Sequence, residues 1–283
     1  MLFEKVLLAT DYSRPSEQLF HCLPELNNFG LKEVILAHVA DTHSAGGNVV
    51  EFQKHNEKRL EPYKKKLEEM GLKVTVKVPI GFISEEINNL AEEEKASLIL
   101  VGSHGKGIIK QRFLGSTTTN ILRKTTTPVL VEKFKNLGTD ECEAFCKQKF
   151  LRMLIPTDFS THSMRMIEEI KKAENIKDLV LLSVLEQSES HEDVQEHKSI
   201  LETKLKALQS ELQELGFTVA IKIREGTASE NILEIASYED ATVIAMPKKG
   251  AGSIKELLIG STTDAVVRKS EIPVLIFPAE QKK

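Results

Sequence analysis

The sequence predicts an α/β protein built from two tandem units, each a five-stranded parallel sheet with helices on both faces. Three observations predict it. Short apolar runs alternate with longer amphipathic ones along the whole chain. Runs such as VILAHV and SLILVG are continuously apolar rather than alternating, as in strands buried on both faces. The whole pattern also occurs twice, with a shift of about 145 residues.

In the first unit the apolar runs place strands near 3–10, 33–39, 73–78, 97–102 and 128–132. Helices fall near 15–28, 49–70, 82–94 and 116–124. Ser13 followed by Pro15 fits an N-cap with a first-turn proline, and Pro24 should kink or shorten that helix. In the second unit the strands fall near 151–157, 178–184, 217–223, 241–246 and 273–277. Its helices fall near 161–174, 190–215, 228–238 and 261–269. Gly71 and Gly216 close the long second helices.

The repeat has matched landmarks. Val6–Ser13 pairs with Met153–Ser160, Glu33–Val39 with Asp178–Val184, and Gly81–Ile87 with Gly226–Ile232. Thr127–Leu130 pairs with Ile272–Leu275. The expected domains are residues 1–134 and 150–283, and each is large enough for its own core. Residues 135–149 read as a linker, with a short helix over Glu141–Phe150.

Composition narrows the function classes. A net charge of −4 gives no electrostatic case for non-specific binding to nucleic acid or to a membrane surface. No run reaches the roughly 18 apolar residues of a spanning helix. The opening MLFEKVLLATD reads as the first buried strand of a cytoplasmic protein. Three cysteines, an odd number, argue against a disulfide framework. Cys22 reads as core, and Cys142 and Cys146 as reduced linker residues.

The motif that carries chemistry is Gly102-x2-Gly105-x9-Gly115-Ser116, between a strand and a helix. Glycines let a backbone approach phosphates closely and permit φ > 0. Ser116 and Thr117 offer hydroxyls and N–H groups at a helix N-terminus. His104, Lys106, Lys110 and Arg112 supply local positive charge. Thr10 and Asp11 end the first strand, and Asp11 suits ribose hydroxyls or a Mg²⁺ ion that bridges phosphates. In a parallel sheet these loops reach one crevice beyond the strands' carboxyl ends, with Val39 on the same edge. The chain matches neither a Walker loop nor a GxGxxG fingerprint.

The glycine pattern, the aspartate after the first strand and the Pro-Val-Leu of the last strand closely resemble the universal stress protein family. Both units share the resemblance, so the chain looks like a tandem member. The resemblance implies Rossmann-like domains, similar to adenine nucleotide alpha hydrolases, and binding of ATP or of AMP/ADP. By position, Asp11 would hold ribose or metal, and Val39 would meet adenine through its backbone. Thr10 and Val101 would line base and sugar. Gly102, His104, Gly105, Gly115, Ser116 and Thr117 would hold phosphates. The family often has arginine where this chain has His104, which leaves AMP and ADP as alternatives to ATP.

The second copy keeps Asp158, Val184, Gly250, Gly260, Ser261 and Thr262, a weaker second site in which Pro247 replaces Gly102. The apolar last strands, Val129–Val131 and Val274–Ile276, are expected to pair the units as a pseudo-two-fold. A homodimer of chains is a further expectation. The expected role is a nucleotide-binding stress-response regulator. The alternatives are a nucleotide-independent scaffold or slow ATP hydrolysis. No catalytic residue is assigned: Ser103 and His104 are adjacent, and the sequence demonstrates no hydrogen bond between them.

Overall fold

Continuous apolar segments pair in parallel, as their burial on both faces demands. The computed structural model describes residues 2–40, 49–105, 114–136, 139, 141–144, 148–173, 175–185, 191–250 and 259–279. The chain divides into two compact units, Met1–Lys147 and Gln148–Lys283.

The first unit opens with β1 (Lys5–Ala9), α1 (Arg14–Gln18), a 3₁₀ turn (Leu19–Cys22) and α2 (Leu23–Asn27). It continues through β2 (Glu33–Ala37), α3 (Val49–Glu69), β3 (Lys73–Lys77) and α4 (Ile83–Glu93). It then forms β4 (Leu98–Gly102), α5 (Ser116–Lys124), β5 (Val129–Glu132), β6 (Phe134–Lys135) and β7 (Glu143–Ala144). Its sheet order is β3-β2-β1-β4-β5, all parallel. Leu7, Leu8, Ile35, Leu36, Ile99 and Leu100 are fully buried within it.

The second unit runs β8 (Arg152–Pro156), α6 (Thr161–Lys171), β9 (Asp178–Leu185), α7 (His191–Glu214) and β10 (Thr218–Glu225). It ends with α8 (Ala228–Tyr238), β11 (Val243–Pro247), α9 (Ser261–Lys269) and β12 (Val274–Phe277). Its order is β10-β9-β8-β11-β12, again parallel. The strand order therefore reverses between β1 and β4, and between β8 and β11.

Local signals act as read. Ser13 caps α1 by accepting from the Ser16 amide, and Pro15 sits in the first turn. The helical stretch around Pro24 is broken into α1, a 3₁₀ turn and α2. Gly71 and Gly216 have φ of +82° and +91°. The next residues, Leu72 and Phe217, donate back to Leu67 and Leu212, as in a Schellman cap.

Two expectations are corrected. Glu141–Phe150 is not a helix where described: β7 pairs antiparallel with β6, Phe134 opposite Ala144, and a turn follows at Gln148–Phe150. Phe134 is buried against Gly102, which draws the chain into a hairpin rather than a free helical linker. Cys22 is buried, as expected, but it is disulfide-bonded rather than reduced. Cys142 is the free, buried thiol; Cys146 lies outside the described residues. Glu94 is half-buried and accepts from Lys5 at 3.2 Å and Lys77 at 2.6 Å.

The same clamp recurs in the second unit. Glu239 takes Arg152 at 2.6 Å and Lys222 at 2.6 Å, its side chain only 9% exposed. No helix among the described residues is long and apolar enough to cross a membrane.

Candidate functional site

The described residues just after β1, β2 and β4 and the N-terminus of α5 line a cavity of about 610 Å³ where the strand order reverses. All ten residues singled out in the first unit line it: Thr10, Asp11, Val39, Val101, Gly102, His104, Gly105, Gly115, Ser116 and Thr117. Lys106, Lys110 and Arg112 lie outside the described residues.

Backbone bonds set this edge. The Thr10 amide donates to Ala37 O at 2.9 Å, Ser103 N to Glu132 O at 2.8 Å, and Gly115 N to Ser103 O at 2.9 Å. Thr118 Oγ1 donates to Gly102 O at 2.7 Å, which ties α5 to the end of β4. Asp11 is fixed by the Ser13 amide, which donates to its Oδ1 at 2.9 Å. No side chain caps α5, whose N-cap is Gly115, so its first N–H groups point to the cavity end with no side-chain acceptor.

The glycines act differently from expectation. Gly102 and Gly105 are not among the positive-φ residues. Their lack of a side chain serves close packing of the protein's own atoms. A Cβ at Gly102 would sit 2.9 Å from Phe134 Cζ and 3.0 Å from His104 O. A Cβ at Gly105 would sit 2.7 Å from Asp11 Oδ2. Gly105 therefore lets the aspartate of the first loop and the glycine loop share one wall.

Ser103 and His104 form a hydrogen-bonded pair, which their adjacency in sequence did not demonstrate. Ser103 Oγ lies 2.9 Å from His104 Nδ1, and Ser103 is fully buried. The serine side chain turns inward at the end of β4 and so meets the ring of the next residue.

The cavity also has a wall that the sequence reading missed. Tyr12 follows Asp11 with φ +58°. Its ring lies 4.3 Å from the His38 ring at a 37° tilt. Arg59 covers it, with Cζ 3.8 Å from the ring centroid. The Tyr12 hydroxyl donates to Asn56 O at 3.2 Å, and His38 Nδ1 lies 2.9 Å from Thr10 O. Burial pushes the Tyr12 phenol up to about 12, against an opposing pull from Arg59. The signal was present in the sequence: Phe52, His55, Asn56 and Arg59 lie at helical spacing on one face of α3, and all four line the cavity.

A family model described as the universal stress protein family matches residues 2–133 and 149–278. The chain belongs to the universal stress protein family. The universal stress protein MJ0577 of Methanocaldococcus jannaschii is 35% identical over 159 residues, covering 48% of this chain and 98% of that protein. The universal stress protein Slr1230 of Synechocystis is 41% identical over 66 residues, 23% of each chain. The crystal structure of a universal stress protein from Archaeoglobus fulgidus superposes with a TM-score of 0.77 at 25% identity, covering 98% of this chain and 99% of that one.

Within this tandem universal stress protein the second unit keeps the frame of the first. Lys248 N donates to Phe277 O at 2.7 Å, and Gly260 N to Lys248 O at 2.9 Å. Thr263 Oγ1 donates to Pro247 O at 3.0 Å. A Cβ at Gly250 would sit 2.8 Å from Asp158 Oδ2, repeating the Gly105 relationship. Gly260 is the N-cap of α9, whose first residues are Ser261 and Thr262, and Val184 lies near the end of β9. Pro247 therefore preserves the backbone path while lacking the N–H of Gly102. What changes is chemical. Lys248 and Lys249, both buried, replace Ser103 and His104. Burial, reinforced by the Lys249 charge, lowers Lys248 to about 8.

Among the described residues no group of three or more His, Cys, Asp or Glu is arranged to hold a metal ion.

Proposed function

We propose that the first unit binds an adenine nucleotide and that the bound nucleotide controls how this universal stress protein acts in a stress response. The observation that carries the reading is the convergence of Asp11, the Gly102–Gly105 turn and the uncapped start of α5 on one cavity. A cavity of about 610 Å³ lies in the usual range for small-molecule sites, roughly 300–1,000 Å³. The end at Gly115, Ser116 and Thr117 has the donors for phosphate. Asp11 has the acceptors for ribose or for a Mg²⁺ ion on the phosphates, and the Val39 backbone edges the base. His104 offers a ring N–H to phosphate rather than the fixed charge of an arginine, which favours AMP or ADP at least as well as ATP.

The second unit keeps Asp158, Val184, Gly250, Gly260, Ser261 and Thr262 on an equivalent frame but with a more basic turn. We place its nucleotide affinity below that of the first unit.

Calorimetric titration of the full chain with ATP, ADP and AMP, with and without Mg²⁺, tests the reading. One site per chain supports it. Two equivalent sites overturn the ranking of the units, and no binding overturns the function. Self-association of chains belongs to the same proposal, and sedimentation equilibrium of the full chain tests it.

A further inference from the structure

We infer that the cavity of the first unit takes a nucleotide carrying a second phosphate on its sugar, and that Arg59 is the residue that reads it. The inference rests on the nucleotide reading above and specifies the ligand class.

The argument starts from position. The sheet order puts the glycine turn of β4 and the start of α5 on one side of β1, and α3, which follows β2, is reached from the other. The cavity spans this edge, so its two ends carry different donors. One end holds the amides of α5. The other holds Arg59 and, one turn earlier on the same helix face, His55. Asp11 is the only carboxylate among the described residues lining the cavity.

Arg59 is solvent-exposed, and its head group rests on an aromatic ring. Its guanidinium lies 3.8 Å over the Tyr12 ring, whose other contacts are the His38 ring at 4.3 Å and Asn56 O at 3.2 Å. The Tyr12 ring is thereby engaged by two partners, the Arg59 guanidinium and the His38 ring. What the stack leaves available is the hydrogen-bonding edge of the arginine. Among the described residues no carboxylate lies within salt-bridge distance of Arg59. A planar fork held against an aromatic ring has lost little freedom still to lose, and its geometry fits a phosphate bidentately.

Location then chooses which phosphate. Tyr12 is the residue directly after Asp11, so the group stacked on Tyr12 adjoins the place where Asp11 would accept a ribose hydroxyl. A phosphate on the 2′- or 3′-oxygen meets Arg59, and the 5′-phosphate reaches α5. The second unit keeps a cation over the ring but not the planar fork. At the matching places stand Lys204, Phe159 and Ser183, and Lys204 Nζ is 5.6 Å from the Phe159 ring.

The test is calorimetric titration of the full chain at fixed ionic strength with AMP, adenosine 2′,5′-bisphosphate and adenosine 3′,5′-bisphosphate. One bisphosphate is expected to bind about tenfold or more tightly than AMP, a step typical of one charge-assisted phosphate contact. In R59Q the ratio of bisphosphate to AMP affinity falls to near one, and in R59K it is intermediate because the charge remains without the fork. Bisphosphates that bind no better than AMP, or an advantage that survives R59Q, overturn the inference and leave the nucleotide reading standing. Failure of all three ligands to bind a folded chain overturns both.

Discussion

Gly105 faces Asp11 so closely that a Cβ at position 105 would lie 2.7 Å from Asp11 Oδ2, and Gly250 repeats the contact with Asp158 at 2.8 Å. The contact joins the loops after β1 and β4, the two segments that must meet for one ligand to touch both. Gly105→Ala therefore displaces the Asp11 carboxylate. Nucleotide affinity should fall by about tenfold or more, roughly 1.4 kcal/mol, with only a few degrees' change in melting temperature. Unchanged affinity in G105A would remove Asp11 from the ligand site. Gly115→Val should abolish binding in the first unit while the chain still folds, since the N-cap conformation (φ −56°, ψ 144°) is open to any residue and the side chain would enter the cavity.

The buried Ser103 hydroxyl lies 2.9 Å from His104 Nδ1, and the ring tautomer decides which of the two donates. A donated hydroxyl proton requires Nδ1 to be bare, which places the ring proton on Nε2. Nitrogen-detected NMR of the imidazole should show that tautomer in the native chain. Ser103→Ala should give a mixture of tautomers and weaken ligand binding severalfold, in line with the roughly 1 kcal/mol of a lost hydrogen bond. A ring protonated at Nδ1 in the native chain would reverse the donor assignment.

Glu239 ties β8 and β10 together through Arg152 and Lys222. The hydrogen bond from Lys222, and then that from Arg152, hold its carboxyl below the usual 4.5 against an opposing push from burial. A depressed carboxylate stabilises the fold above its unfolded pKa, and that stability is lost as pH falls through the folded value. Glu239→Gln should cost about 1–3 kcal/mol in denaturant titration at pH 7. The difference between the two proteins should shrink below pH 4.5. A difference independent of pH would show that Glu239 acts by packing alone.

Lys248 titrates near 8, below the usual 10.5 for a lysine. Between those values the unfolded chain holds a proton that the folded chain has released, so this residue's contribution to stability rises with pH across the window. Any anion held beside it should conversely bind more weakly at pH 9 than at pH 7. Phosphate titration of the full chain at both pH values, with K248M as control, checks this. Equal affinity at both would place the ammonium group away from the anion.

The parallel sheets and the ligand edge were legible because they follow from periodicity and from a long glycine spacing repeated in both halves. Strands such as Leu98–Gly102 had to be buried on both faces, and the crevice then followed from strand order. What escaped was carried by single side chains at distances that no spacing reports. Tyr12, His38 and Arg59 come from three segments, and their stacking depends on a positive φ at Tyr12 that its residue type does not announce. The hairpin of β6 with β7 escaped for the opposite reason. Its residues have helix-compatible polarity, and only burial of Phe134 against Gly102 decides otherwise.

Tyr12 and Phe159 both occupy the left-handed region, with φ of 58° and 57°. A bulky aromatic there costs on the order of 1–2 kcal/mol relative to asparagine or glycine. Selection for thermal endurance alone would therefore replace Tyr12 first, and the sturdier variant would give up the ring that carries Arg59. Ranking variants of this chain by melting temperature would discard recognition at the very position where it is concentrated.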